Sequence, residues 1–407
     1  MKRAVMYGAG NIGRGFIGQL FSESGYEVAF IDVNMDIINK LNIDGEYPVG
    51  VLSGTGNQEN TVTHVRGVNG GDIEKVAEAI AEADIMATAV GVNVLPRIAK
   101  PIAEGLKKRW QSGRMEPLNI IICENLLDAN HFLAKLIKQE LDDVQNSYFD
   151  KLIGLVEASI GRMVPVMTSE MQAGNILRIC VEEYGELPVD KDGFKGEIPQ
   201  IKNMQPASPF AYYIQRKLFI HNMGHALTAY LGKMKGYNYI WEAIGDPLIK
   251  LAVLRAMQDS AKALSREHGI KLEIILDHVD DLIYRFGNRQ LGDTINRVGN
   301  DVKRKLSPND RLAGAANLCL AHGLNPANIC LGIAAAMKFD TIDISLNGVN
   351  DIITSEGPEA VLESLCKLSD KSMIFIMTLE LYNMLGDFSC INTVIEKTAE
   401  LKRRRVG

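Results

Sequence analysis

Lys217, Asn222 and His225, in the stretch RKLFIHNMGHALTAYLG, have the types and the spacing to act on one small molecule. A lysine can move a proton, an amide can hold an oxygen, and an imidazole can orient a hydroxyl. The stretch has no proline, one internal glycine and apolar residues recurring on one side, so it reads as a helix. At about 3.6 residues per turn, offsets of five and eight residues put the three side chains within roughly 140° of arc. Singly, each has an ordinary explanation: a helical lysine is usually solvated, and a helical histidine beside glycine is usually structural. Together they need a scaffold that brings them a reaction partner.

The first half of the chain reads as that scaffold. RAVMYG, VAFIDV, IMATAV, LNIIIC and KLIGLV have strand length and composition, and helical stretches such as DIEKVAEAIAEA and VLPRIAKPIAEGLKKRW lie between them. This alternation predicts α/β architecture, a doubly wound Rossmann-type parallel sheet with helices on both faces. ILRICVEEYGELPVDK, near 176–190, reads as further strand and turn. Beyond about 200 strand-like runs become scarce. Segments 208–235, 237–268, 271–286, 310–323, 325–338 and 357–385 read as helices. We therefore expect two domains, 1–195 and a mostly α-helical 196–407, divided in the polar DKDGFKGEIPQ stretch.

Gly8-Ala9-Gly10-Asn11-Ile12-Gly13 is a GxGxxG run that follows a strand and opens a helix, the context a dinucleotide fingerprint requires. Its glycines would allow a tight turn, close approach of a pyrophosphate and close helix–strand packing. The helix N-terminus offers free N–H groups to the anion. Asp32 ends the next strand, where a carboxylate would take both ribose hydroxyls and repel a 2′-phosphate; NAD is expected over NADP. Thr88, Val90 and Gly91 close a third strand and would pass beneath the nicotinamide half. Arg14, beside the glycines, either touches the ligands or faces solvent. Hydride transfer to NAD needs a base for the hydroxyl proton and fixed donors for the developing alkoxide. Lys217 suits the first role, if burial and positive neighbours lower its pKa. Asn222 and Asn125, the latter in the strand-end run CEN, suit the second.

The pattern Lys217-x4-Asn222-x2-His225 resembles the active-site signature of the polyol-specific long-chain dehydrogenases, the mannitol dehydrogenase family. RKLF-x2-N-x-GHA-x-TAYLGK, GAGNIGRGFIG, RVG followed by RKLS-x2-DRL, and GIAAAM-x-F are similar to its mannitol-1-phosphate 5-dehydrogenase branch. The resemblance spans residues 1 to about 340. It implies an N-terminal Rossmann domain, a helical C-terminal domain and an active site between them. It also implies lysine as general acid/base, two asparagines (here Asn125 and Asn222) as the oxyanion site, His225 on a substrate hydroxyl or carbonyl, and no metal. Two departures bear on substrate. The family's acid ahead of the arginine in V-D-R-I-x-P is Gly161 here, and the branch's glutamate before the lysine is Gln215.

A substrate phosphate is expected at Arg304, Lys305 and Arg311, the densest basic cluster of the helical half. A carboxylate could use the same cations, so a free polyol or a hexuronate (tagaturonate or fructuronate) stays open beside a sugar phosphate. An NAD-responsive sensor is a third reading, though a sensor would not need a base. The terminal LKRRR reads as a solvated tail, and 340–380 carries no usable motif.

Composition sets outer limits. The chain has 407 residues, 46% hydrophobic and 23% charged, an ordinary globular balance. A net charge of −6 argues against a nucleic-acid partner. No apolar run is long enough to span a membrane. The six scattered cysteines form no CxxC pair, so neither a metal site nor a disulfide framework is expected and a reducing cytoplasm fits. A monomer and a homodimer are equally compatible.

Overall fold

The computed structural model describes residues 1–53, 56–126, 128–339, 348–386 and 391–404. Cys390 and residues 340–347 of the motif-free stretch lie outside them. The chain forms two compact units, Met1–Ala211 and Tyr212–Gly407.

In the first unit the strands are β1 (Lys2–Tyr7), β2 (Tyr26–Asp32), β3 (Glu46–Leu52), β4 (Gln58–Thr63), β5 (Val65–Asn69), β6 (Ile85–Thr88), β7 (Leu118–Ile122), β8 (Ile153–Glu157), β9 (Ile179–Glu182), β10 (Leu187–Asp190) and β11 (Met204–Ala207). Six of them form an all-parallel sheet in the order β5-β2-β1-β6-β7-β8. This is the doubly wound order, and its direction reverses between β1 and β6. Side chains alternate across the sheet. Ala4 and Met6 join one core with Phe16, Phe30, Tyr47 and Ile179, whereas Val5 and Tyr7 join another with Ile80, Ile102 and Leu106. Each large apolar side chain buried in this way contributes about 1.5–3 kcal/mol. Five of the six strands were expected. The sixth, β5, is short and carries Arg66 and Gly67, so it lacks an apolar run.

The sequence also gave no signal for β3 and β4, which form a small sheet with β9. β3 contains a proline and β4 is mostly polar and exposed. The expected division near 195 falls inside the first unit, because β11 pairs with β10 beyond it.

The second unit is helical. Helix 211–216 runs through a π-helical segment, Lys217–Asn222, into Met223–Met234. The long expected helix 237–268 is broken. Ile240–Gly245 ends, and Pro247–His268 restarts with Pro247 at its first position and Asp246 accepting from the N–H groups of Leu248 and Ile249 at 3.0 and 3.2 Å. The helix Leu272–Phe286 follows. Segment 357–385 likewise divides into Pro358–Ser364 and Met373–Met384. In the basic run that reads as a solvated tail, Arg403 is exposed and Arg405 lies outside the described residues, but Lys402 and Arg404 are paired. Lys402 pairs with the buried Asp259 at 2.6 Å, and Arg404 grips Glu380 at 2.8 and 3.0 Å.

Candidate functional site

In the first unit the chemistry gathers at the carboxyl edge of the sheet. Gly8 leaves β1 with φ +106, and a Cβ there would fall 2.4 Å from the Ala89 carbonyl. A Cβ at Gly13 would strike the Gly8 carbonyl at 1.9 Å. Glycine at both positions lets strand, turn and helix close on each other. Gly10 differs: nothing stands within 4 Å of its Cβ position, and it is exposed together with Asn11. That open face is where a diphosphate could meet the backbone N–H groups. Ile12 is half-buried behind it, and the Asn11 amide reaches only the Pro165 carbonyl, at 3.5 Å.

The helix after this turn begins as a π segment, Gly13–Ile17, with Gly18 N–H donating to the Gly13 carbonyl. The buried Tyr47 hydroxyl donates to the Arg14 carbonyl at 2.7 Å, inserting into the ladder as a π turn allows. Arg14 is buried, which answers its open reading. Its Nε donates to the Ala9 carbonyl at 2.7 Å and its Nη1 to the carbonyls of Ile176 and Leu177. It braces the turn from behind.

Three carboxylates lace this edge together. Asp32 accepts from the N–H groups of Ala9 (2.7 Å) and Asn34 (3.0 Å), and each oxygen keeps a second lone pair for a ribose hydroxyl. Glu157 accepts from Ala129 N–H at 3.0 Å. Glu124, which the sequence reading passed over, accepts from Val90 N–H at 2.8 Å and Gly91 N–H at 2.9 Å. Burial pushes the Glu124 carboxyl up from its ordinary range, partly offset by those two bonds. Thr88 is fully buried, whereas Ala89 and Val90 are half-buried and Gly91 is exposed. Asn125 follows Glu124 and is exposed beyond the end of β7.

In the second unit, Lys217, Asn222 and His225 are all half-buried, while Phe219, Ile220, His221, Met223, Gly224 and Ala226 between and beside them are buried. The three therefore lie on one stripe. The π segment helps, because its i→i+5 bonding brings residue 222 over residue 217. His225 stacks on Phe286 with centroids 4.9 Å apart and planes 13° from parallel. Its Nε2 stands 3.1 Å from Asp293 Oδ2, within pairing range but off the line of a well-directed hydrogen bond. Asp293 is buried and also takes Arg297 Nε at 2.8 Å. Burial alone would raise its pKa, but His225 and Arg297 together hold it below the ordinary range. Sequence gave no sign of Asp293 or Phe286, since both meet His225 only through the tertiary fold.

Burial first, then Arg285, His225, His278 and Lys217, hold His221 well below its ordinary pKa. Burial, with Arg216 and Arg285, takes His278 down to about 3. Gln215, in place of the branch's glutamate, is bonded to His268 at 2.9 Å. Gly161 has the Tyr184 ring beside it, 3.2 Å from its Cβ position, and the Tyr184 hydroxyl bonds Glu186 at 3.2 Å.

The expected basic cluster is already largely neutralised. Arg304 pairs with Asp301 and, at 3.1 Å, with Asp310, which also takes Arg311 Nε at 2.7 Å. Lys305 departs from the expectation of a ligand-facing ammonium. It is buried, with its Nζ on the carbonyls of Val298 and Asn300, and burial next to Arg311 and Arg304 takes its pKa down to about 7. A lysine one residue from an exposed arginine on a short helix turns inward, which charge counting does not reveal. Among the described residues no group of three or more His, Cys, Asp or Glu side chains is placed to hold a metal, and no helix is long and apolar enough to cross a membrane.

Residues 2–203 match the mannitol dehydrogenase Rossmann domain, and residues 210–369 match the mannitol dehydrogenase C-terminal domain. A mannitol-1-phosphate 5-dehydrogenase of Brevibacillus brevis is 41% identical over 83% of this chain and 86% of its own length. Among solved structures, a D-sorbitol dehydrogenase in substrate-free form superposes with a TM-score of 0.80 at 14% identity, over 96% of this chain and 94% of its own. The Pseudomonas fluorescens mannitol 2-dehydrogenase, a ternary complex with NAD and D-mannitol, gives 0.77 at 14% identity, over 98% and 94%. At that identity the two structures speak for the fold, and the domain matches with the Brevibacillus relative speak for more: this chain is a member of the mannitol dehydrogenase family.

Proposed function

We propose that this polyol dehydrogenase interconverts mannitol 1-phosphate and fructose 6-phosphate with NAD. The observation that carries the reading is the half-buried stripe of Lys217, Asn222 and His225 on a helix that passes through a π turn. NAD is supported by the open glycine turn at Gly10 and by Asp32 at the end of β2, and it takes or supplies the hydride.

Lys217 Nζ, in its neutral form, takes the hydroxyl proton as the carbinol is oxidised and returns it when the ketone is reduced. Asn125 and Asn222 donate to the oxygen on which negative charge develops. His225, held by Phe286 and Asp293, meets a neighbouring substrate hydroxyl. Arg304 and Arg311 receive the phosphate with Asp310 between them, and Lys305 supports that loop from behind. The protein works without a metal, in the cytoplasm, as a monomer or homodimer.

A second reading keeps the chemistry and changes the distal end of the substrate. Tyr184 beside Gly161, with Glu186 on its hydroxyl, offers hydrogen-bonding groups where the family acid is absent, which suits a free polyol, while a hexuronate carboxylate would use the basic residues instead. NADH absorbance followed with fructose 6-phosphate, fructose, tagaturonate and fructuronate separates the two. Turnover of fructose 6-phosphate well above the other three is the expected result. Oxidation of NADH only with an unphosphorylated ketose would transfer the function to the second reading.

A further inference from the structure

The β6 and β7 ends lie side by side, with Thr88 opposite Ile122 and Cys123 N–H bonded to the Thr88 carbonyl at 2.9 Å. Beyond that last rung no further ladder bond joins the two turns among the described residues. Glu124 does. Its two oxygens accept separately from Val90 N–H and Gly91 N–H, at 2.8 and 2.9 Å. The residue is 9% exposed, so these charge-assisted bonds are shielded from water. Gly91, at φ +89, leaves its outer side open, with nothing within 4 Å of a Cβ position. The next residue along from Glu124 is the exposed Asn125.

We propose that Glu124 is a positioning residue that couples the cofactor-facing turn Val90–Gly91 to the oxygen-binding Asn125. One carboxylate fixes the turn through its side chain and Asn125 through its own backbone. A shift of either turn is then a shift of both, which ties the site of the hydride acceptor to the site of the developing alkoxide. The inference rests on the dinucleotide reading of this edge and on the role proposed for Asn125. A carboxylate is required because both partners are donors. An amide of the same shape would accept from one N–H and point its own NH2 at the other.

Glu124→Gln is the test, read in three ways. NADH affinity, by quenching or transfer fluorescence, should weaken about tenfold, the scale of one lost charge-assisted bond. The kcat for ketose reduction should fall by a similar factor. In a double-mutant cycle with Asn125→Ala, the kcat effects should fail to add, the double variant being little worse than Asn125→Ala alone. Additive effects, or a lowered Tm with NADH affinity and kcat unchanged, would overturn the proposal and leave Glu124 as a fold residue. The NADH arm needs no turnover, so a wrong substrate assignment would not disguise its outcome. If Glu124→Gln does not fold, Glu124→Asp keeps the charge but shortens the reach, and the same three readings apply to it.

Discussion

Both units contain a π-helical segment, and they use it in opposite ways. Gly13–Ile17 is buried throughout and holds two glycines; its one long polar side chain, Arg14, is turned back onto the carbonyl of the turn it supports. What it offers is support for the open backbone just ahead of it, at Gly10. Lys217–Asn222 places its polar termini on a half-buried stripe and leaves backbone chemistry to its helix. What it can offer is side chains. The same widened turn closes a strand onto a helix in one place and aligns residues five apart in the other. The lesson is that a π turn has no function of its own; the residues on its outer face decide what it does.

The largest effect that would separate the two segments comes from Lys217→Ala. Loss of an acid–base group costs about 10²–10⁴ in rate, so kcat should fall by that much while NADH affinity, a matter for the other segment, stays close to wild type. Unchanged kcat would remove the lysine from the mechanism and leave the second segment as scaffold. Gly13→Ala attacks the first segment. Its methyl would meet the Gly8 carbonyl at 1.9 Å, and overpacking of this kind costs about 1–3 kcal/mol. Tm and NADH affinity should drop together; a variant as stable and as avid as wild type would show that the turn is not closed as described.

Asp293→Asn should have the smallest effect, because it removes a support of His225 rather than a reacting group. A loss of about 1–2 kcal/mol at neutral pH is expected, as for a bond to a charged group. Its sign with pH is definite. The Asp293 pKa is lowered in the fold, so its ionised form stabilises the native state above the ordinary carboxylate range, and that contribution is lost as pH falls through the folded value. Thermal melts of wild type and variant should therefore converge on acidification. A constant gap between them would mean that Asp293 supports His225 by shape rather than charge.

How much of this the sequence showed depends on whether a residue's role is local. The glycine turn, Asp32 and the spacing of Lys217, Asn222 and His225 are local patterns, and the structure sets each on the element expected for it. Arg14 could not be assigned, since its partners Ile176 and Leu177 lie far along the chain. Glu124 sits beside a residue that was singled out, yet its meaning comes from Val90 and Gly91 on another strand. Asp293 and Phe286 belong to the same class. Lys305 was misjudged because a run of basic residues reads as a surface, whereas its ammonium satisfies two carbonyls inside the unit. The break at Asp246-Pro247 was not read, because apolar periodicity continues on both sides of it.

The pairing of Lys402 bears on the order in which this protein can be made. Asp259 lies in the long helix Pro247–His268, with Asn328 at 2.7 Å and Lys402 at 2.6 Å on one oxygen, while Lys262, one turn along the same helix, stands 3.9 Å from the other. A buried carboxylate that lacks its cation costs several kcal/mol. On the ribosome the helix emerges long before Lys402 does, so until then Asp259 has only the more distant Lys262. The parallel sheet of the first unit, by contrast, is complete by β8. Translation therefore presents the parallel sheet first and the Lys402–Asp259 pair of the helical unit only once residue 402 has been made. A chain released early, or trimmed by a protease before residue 402, keeps the first and loses the second.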